Sequence, residues 1–255
     1  MEIYDKIFKR NVGVITQKEQ QILKHSKVAI AGTGGVGGNV AGLLARAGVG
    51  HFKLADLDTF SVSNTNRQYG CNMECVGQSK VEVVKTELIK INPDIEIQLY
   101  PNGVTDDNLE EFIFDVAVVV DAMDMTALDI RKKLMSKVKD DIYVYLCPAL
   151  GFGANMIIFG SEGMNFNEFF PETDSSGPQQ ILDFAYKLFP RIPDYVDIKS
   201  YMNAIKNNNY FPTFSTSVML AAVVTANEII LNLLNRRKPK LAPFIYHLDL
   251  VEQYD

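Results

Sequence analysis

Cysteine is scarce in this 255-residue chain, and the three present, Cys71, Cys75 and Cys147, are odd in number and too few for a disulfide framework. That usage agrees with a reducing compartment. Long apolar runs are missing too: the richest stretch, Val218 to Leu234, is broken by Asn227, Glu228 and Asn232 and reads as a buried helix, so no membrane span is expected. Basic residues are not in excess. The formal charge of −6 argues against a non-specific nucleic-acid binder, and the short cluster Arg236-Arg237-Lys238-Pro239-Lys240 reads as the solvated C-terminal end of a helix. Met1 to Lys6 has neither a basic nor an apolar leader region, so no secretory signal is expected and the expected location is cytoplasmic.

What is present is ordinary for a globular chain, with 47% apolar and 22% charged residues. The length allows a full core in one large α/β domain. Within it a set of polar residues follows a glycine-rich turn at ordered intervals: Gly32-Thr33-Gly34-Gly35-Val36-Gly37, then Asp56, Asn64-Thr65-Asn66-Arg67-Gln68, Lys80 and Asp124. Gly32, Gly34 and Gly37 alone also fit a dinucleotide turn. Arg67, Lys80 and Asp124 decide between the two, because a triphosphate needs several positive charges and a metal, where a pyrophosphate largely makes do with backbone amides.

The pattern along the chain gives these residues their setting. Thr16 with Glu19 fits a capping box opening a short helix, and Lys27 to Ala31 reads as a strand running into the glycine turn. Val36, Val40, Leu43, Leu44 and Ala47 then recur at helical spacing. Further β-α alternation follows: strands at Phe52–Ala55, Ile95–Leu99, Val116–Val120 and Ile142–Cys147, and helices at Val81–Ile91, Asp106–Phe114 and Ala127–Val138. This alternation predicts an α/β fold with a doubly wound, Rossmann-like sheet, in which Asp56 and Asp124 lie at strand ends beside the glycine turn. A strand at Asn155–Phe159, a helix at Ser215–Asn235 and a strand at Phe244–Leu250 complete the same domain as mixed C-terminal elements. Three regions result: a nucleotide-binding core over 1–160 with its N-terminal helix, a crossover segment over 161–213, and a closing helix and strand over 214–255. The crossover has weak helical periodicity only around Gln179 to Leu188, and it is expected to cover the site.

With these residues in place the chain resembles the ThiF/MoeB/HesA family, bacterial relatives of the ubiquitin-activating enzymes. The likeness rests on the glycine turn, Ala55-Asp56-Leu57-Asp58, Ser63-Asn64-Thr65-Asn66-Arg67-Gln68, Gly77-Gln78-Ser79-Lys80, Ile91-Asn92-Pro93 and Asp121-Ala122-Met123-Asp124. It implies an ATP-dependent adenylyltransferase whose substrate is the C-terminal carboxylate of a ubiquitin-like protein or peptide. By the same resemblance Gly32, Gly34, Gly35 and Gly37 cradle the nucleotide and Asp56 holds the ribose. Asn64, Arg67, Gln68 and Lys80 hold phosphates, and Asp124 positions Mg²⁺. Arg10 looks like the family's arginine that reaches the γ-phosphate of a neighbouring subunit, which implies a homodimer. Asp58 is either a phosphate-side or metal-shell residue or a turn former, and Asp121 faces the same choice.

Two departures shape the expectation. The paired Cys-x-x-Cys motifs of many members are missing, so no structural zinc is expected. Ser161 to Thr213 contains no cysteine, so a thioester step is not evident. Two other functions compete. A NAD- or FAD-binding oxidoreductase explains the glycines and Asp56 but leaves Arg67, Lys80 and Asp124 without a role. A non-catalytic nucleotide-binding scaffold does not require the full phosphate-binding set.

Overall fold

A computed structural model describes residues 3–138, 141–172, 174–208 and 210–251; of the stretch read for a leader, Met1 and Glu2 lie outside the described residues. The chain opens with α1 (Ile3–Ile7), a 3-10 turn at Lys9–Asn11 and α2 (Gln17–His25). The capping box at α2 forms in both directions: the Glu19 amide donates to Thr16 Oγ1 at 3.1 Å and the Thr16 amide to Glu19 Oε2 at 2.7 Å. Next come β1 (Lys27–Ala31), α3 (Gly35–Ala47), β2 (His51–Ala55), α4 (Lys80–Ile91) and β3 (Glu96–Tyr100). The second half of the alternation is α5 (Leu109–Ile113), β4 (Val118–Asp121), α6 (Leu128–Lys137) and β5 (Tyr143–Leu146). The remainder is β6 (Ala149–Leu150), β7 (Gly153–Phe159), α7 (Phe166–Phe169), α8 (Pro178–Leu188), α9 (Ile198–Asn208), α10 (Ser215–Leu233) and β8 (Ile245–Asp249).

Among the described residues the strands form one sheet in the order β3-β2-β1-β4-β5-β7-β6, with β8 on β7. The pairs from β3 to β5 are parallel, and β7 pairs antiparallel with β5, β6 and β8. The connections leave β1 in one direction toward β2 and β3 and resume on its other side at β4, which makes a crevice at the C-terminal ends of β1 and β4. Register sharpens that crevice. Ala31 pairs with Ala55 and with Asp121, so β1, β2 and β4 end flush and Gly32, Asp56 and Ala122 emerge at one level.

Both faces of the sheet are covered, as near-continuous apolar strands require. On β1, Val28 and Ile30 join a core with Val40, Leu44, Val84, Leu88 and Ile229 beneath α3, α4 and α10. Ala29 and Ala31 join the opposite core with Phe112, Val119, Leu134, Phe166 and Leu188. α10 is apolar and long enough to cross a membrane by length and composition, but Val218, Ala221, Ala222, Ala226 and Ile229 are buried in the protein. The basic cluster is paired rather than merely solvated: Arg236 bonds Glu19 at 2.7 Å, Arg237 bonds Glu228, and Lys238 meets Glu162 at 3.1 Å.

The crossover is more regular than its sequence pattern predicts, with α7 and α9 in addition to α8. Phenylalanine packing supplies the missing order: Phe166 and Phe170 lie 4.8 Å apart between ring centroids, and Phe170 and Phe184 lie 4.5 Å apart. α5 is also shorter than Asp106–Phe114, because Asn108 turns the chain first, its Oδ1 accepting from the Thr105 amide at 2.8 Å. The strand read at Val116 begins at Val118, after Asp115 adopts a positive φ of 57°.

Candidate active site

The glycine turn fits here for reasons of space. Gly32 has φ +89°, and a Cβ on it would lie 2.3 Å from the Ala122 carbonyl oxygen; one on Gly37 would lie 1.9 Å from the Gly32 oxygen. The turn thus packs tightly against the end of β4 and delivers α3 with its first amides free, since intrahelical bonding starts only with Gly38 N–H to Gly34 O at 3.2 Å. Gly32, Gly34, Gly35 and Val36 line a cavity of about 480 Å³ at the C-terminal ends of the strands. That is a fitting size for a nucleotide.

Asp56, just beyond β2, is oriented by three donors. Its Oδ2 accepts from Thr33 N at 2.7 Å and Thr33 Oγ1 at 3.2 Å, and its Oδ1 accepts from Asp58 N at 3.0 Å. Burial nevertheless pushes its carboxyl above the ordinary Asp range, against the opposing charge of Lys80 and the backbone donors. Lys80 opens α4 and is only 7% exposed. A short ladder brings it to the site: Phe60 N–H donates to Gln78 O at 2.9 Å, Lys80 N–H to Asp58 O at 3.1 Å, and Lys80 Nζ then bonds Asp58 Oδ2 at 2.8 Å. Asp58 is therefore more than a turn former, because its carboxylate holds the buried cation in place.

Arg67 projects from the loop after a 3-10 turn at Val62–Asn64, its Nη1 donating to Ser63 O at 3.0 Å and Asn66 Oδ1 at 2.9 Å. Burial lowers its pKa while the charge of Asp124 opposes that shift. Gln68 beside it is buried, and its Oε1 has no hydrogen-bond partner. A buried amide oxygen left unpaired and lining a cavity is a group waiting for a donor. Asp124 lines the cavity from the loop after β4 and is exposed.

Gly32, Gly34, Gly35, Asp56, Asp58, Arg67, Gln68, Lys80 and Asp124 thus surround one cavity. Gly37 stands behind the turn as its packing contact. Asn64 does not line the cavity: its Oδ1 accepts from the Ser61 amide at 3.0 Å and caps the loop carrying Arg67. Arg10 is exposed on the N-terminal 3-10 turn and does not line the cavity either.

Other functional residues were not legible. Val104, Met123 and Ile130 give the cavity an apolar wall, and Thr213 and Val218 close it from the entry to α10. Asp121 is fully buried against Arg131, whose Nε donates to Oδ2 at 2.6 Å and Nη2 to Oδ1 at 3.2 Å. The same Nη2 donates to the carbonyls of Met123 at 2.8 Å and Asp124 at 3.2 Å, so Arg131 fixes the loop that presents Asp124. Its guanidinium also lies 5.0 Å from the Phe184 ring centroid of α8. The signal was an arginine midway between Leu128 and Leu134 on the buried stripe of α6. The cysteines are free thiols, and burial pushes Cys147 up to about 12.

The chain is similar to known proteins over somewhat less than half of its length. Over 118 residues, 46% of the chain and 46% of the relative, it is 38% identical to the tRNA threonylcarbamoyladenosine dehydratase of Bacillus subtilis. It is 40% identical over 109 residues to the molybdopterin-synthase adenylyltransferase of Escherichia coli, covering 43% of the chain and 44% of the relative. The match therefore spans less than half the length of these curated relatives. Among solved structures, selenomethionine PaaA superposes with a TM-score of 0.72 at 22% identity, over 96% of this chain and 79% of that one. E. coli MccB with MccA-N7isoASN gives 0.66 at 20% identity, over 91% and 66%. E. coli tRNA threonylcarbamoyladenosine dehydratase in complex with AMP gives 0.62 at 20% identity, over 92% and 97%. These structural likenesses establish the fold. A model of the ThiF family matches residues 8–254, nearly the whole sequence, and the chain belongs to that family.

Proposed function

We propose that the protein is an ATP-dependent adenylyltransferase that activates the C-terminal carboxylate of a ubiquitin-like protein or peptide as an acyl-adenylate. A carboxylate oxygen attacks the α-phosphorus, the bond to the α–β bridging oxygen breaks, and pyrophosphate departs with the electron pair. The observation that carries this reading is the convergence of Arg67, Lys80, Gln68 and Asp124 with the glycine turn on one cavity. Such chemistry is catalysed mainly by position and charge, so it needs no protein nucleophile. Adenylyltransferase relatives, and a fold shared with MccB bearing MccA-N7isoASN, support it.

In this reading Asp56 accepts hydrogen bonds from the ribose hydroxyls, and Val104, Met123 and Ile130 flank the base. The first amides of α3, with Arg67, Lys80 and the side-chain NH₂ of Gln68, take the phosphates. Asn64 serves the site through the loop instead, its carbonyl accepting from the Ser61 amide and so holding the turn that carries Arg67. Asp124 suits Mg²⁺ as a lone carboxylate facing the phosphates. Among the described residues no group of three His, Cys, Asp or Glu gathers around a metal position, so phosphate oxygens and water would complete the shell. Bound Mg²⁺ would neutralise charge on the phosphate oxygens. Arg10 completes the site only from a second subunit, and a cytoplasmic homodimer is the proposed working form. The crossover from Ser161 to Thr213 has no cysteine, so the acyl-adenylate is proposed as the end product.

Calorimetric titration with ATP plus Mg²⁺, and separately with NAD and FAD, tests the reading. Mg²⁺-dependent ATP binding that Arg67→Ala and Asp124→Ala both weaken is the expected result, with Asp124→Ala abolishing pyrophosphate release in a folded protein. Binding of NAD or FAD that ignores both substitutions would replace this reading with an oxidoreductase.

A further inference from the structure

Asparagine is a poor residue for a helix interior, and burying its amide is costly unless the amide is bonded. Asn39 lies inside α3 and is only 6% exposed, so its presence there needs a reason. The side chain supplies one. Its Nδ2 donates to Gly35 O at 2.6 Å, one turn back in α3, and to Arg67 O at 3.1 Å, on a loop 28 residues further along the chain. Both amide protons are thereby committed. One goes to the turn that opens α3, and the other to the backbone of the arginine that shares the nucleotide cavity with that turn.

The packing around this bond follows the same line. Arg67, Gln68 and Tyr69 lie in succession against positions where glycine leaves the surface of α3 and its entry open. A Cβ on Gly34 would come 3.5 Å from Gln68 Nε2, and one on Gly35 would come 3.8 Å from Arg67 Cγ. On Gly38 it would lie 3.2 Å from Tyr69 Cβ, and on Gly42, one turn later, 2.7 Å from Tyr69 Cε2. The tyrosine ring therefore occupies a groove that a larger residue at Gly42 would close, and its hydroxyl reaches Arg46 a further turn along. The bonds of Arg67 Nη1 to Ser63 O and Asn66 Oδ1 fix the guanidinium to its own loop, whereas Asn39 and Tyr69 fix that loop to α3. Catalysis by position and charge needs the second attachment as much as the first.

We propose that Asn39 is a positioning residue: it locks the backbone of Arg67 to the glycine turn, so that the arginine and the first amides of α3 meet the triphosphate as one rigid unit. The inference rests on the adenylation reading, which gives Arg67 its phosphate. Calorimetric titration of the full chain with ATP plus Mg²⁺, and separately with adenosine, compares the unmodified protein with Asn39→Ala, Arg67→Ala and the double variant. Asn39→Ala is expected to weaken ATP binding about tenfold, the worth of one hydrogen bond between Arg67 and a phosphate, and to leave adenosine binding unchanged. In the Arg67→Ala background the same change is expected to weaken ATP no further, because the group it positions is gone. Asn39→Leu, a good helix former without a donor, is expected to give the same pattern and frees the test from the folding of one variant. ATP affinity that survives loss of the Asn39 amide overturns the positioning role and leaves adenylation standing. So does an equal loss for ATP and adenosine, or a full additional loss in the Arg67→Ala background. Absence of Mg²⁺-dependent ATP binding by the unmodified protein overturns the adenylation reading, and this inference with it.

Discussion

The stretch from Gly32 to Asp124 and the crossover from Ser161 to Thr213 are built by different physics: the first lines the cavity, and the second, among the described residues, touches it only at Thr213. The first presents charge and backbone amides from loops that follow flush strand ends, each side chain held by short local bonds such as Lys80 to Asp58 at 2.8 Å. The second packs rings and aliphatic chains of its helices against one another and the sheet, with Phe170 and Phe184 4.5 Å apart. Phosphate oxygens demand cations at fixed places, so that half is constrained residue by residue. An apolar side chain demands only a shaped, dry wall, and many sequences can build one.

Arg131 joins the two halves, and breaking it gives the largest expected effect. It pairs with Asp121 at 2.6 Å, holds the Asp124 loop, and stacks on Phe184 of the crossover. Arg131→Met is expected to cost about 3–5 kcal/mol of unfolding free energy, because it strands the buried Asp121 charge. Urea titration would measure it. The double variant Asp121→Leu with Arg131→Met is expected to recover much of that loss while ATP affinity stays reduced, since the carbonyl contacts that fix the Asp124 loop are still missing. Recovery of both would reduce Arg131 to a charge partner with no hold on the site.

A cut inside the crossover is expected to separate the halves instead. Leu188 is fully buried at the end of α8, and its carbonyl accepts from Asn155 Nδ2 of β7 at 2.6 Å. Leu188→Ala is expected to lower global stability by about 2–5 kcal/mol. ATP affinity should stay at the wild-type level, because no phosphate or ribose contact depends on it. Retained global stability with faster hydrogen exchange confined to α8 and α9 would instead make the crossover a separately opening unit.

This contrast also explains what the sequence made legible. The doubly wound sheet follows from β-α alternation, and the Gly32, Asp56 and Asp124 positions follow from strand ends, because each rule acts over a few residues; the strand order itself appears only in the structure. Tertiary partners supplied the rest. Asn64 looks like a phosphate ligand in its Asn-x-Asn-Arg-Gln block, yet its carbonyl caps the loop that carries Arg67. Arg131 hid in a helix where arginine is a good surface former, and nothing local announces a buried pair ten residues from Asp121. α9 did carry a signal, Ile198, Tyr201, Met202 and Ile205 at helical spacing, obscured by the asparagine-rich sequence around it. In the structure that stripe faces the small apolar pocket it shares with α8.

The smallest expected effect sharpens the phosphate half by exposing a stability cost of its function. Burial raises the Asp56 carboxyl above its ordinary value despite Lys80 and the backbone donors. A carboxyl whose folded pKa lies above its unfolded one binds protons more tightly in the native state. Stability therefore falls as pH rises from the ordinary Asp range through the raised folded value, and stays at the lower level above it. Asp56→Asn removes that ionisation, so thermal unfolding measured across this window should lose part of its downward slope with pH. The same variant should bind ATP more weakly at neutral pH, because an amide offers the ribose hydroxyls one acceptor in place of two. Wild-type ATP binding should weaken with acidification as Asp56 takes up its proton, and the variant should not share that step. An unchanged stability slope with weakened binding would mean that the carboxyl is not strained by burial, and that the charged wall of this cavity stands at no cost to the fold.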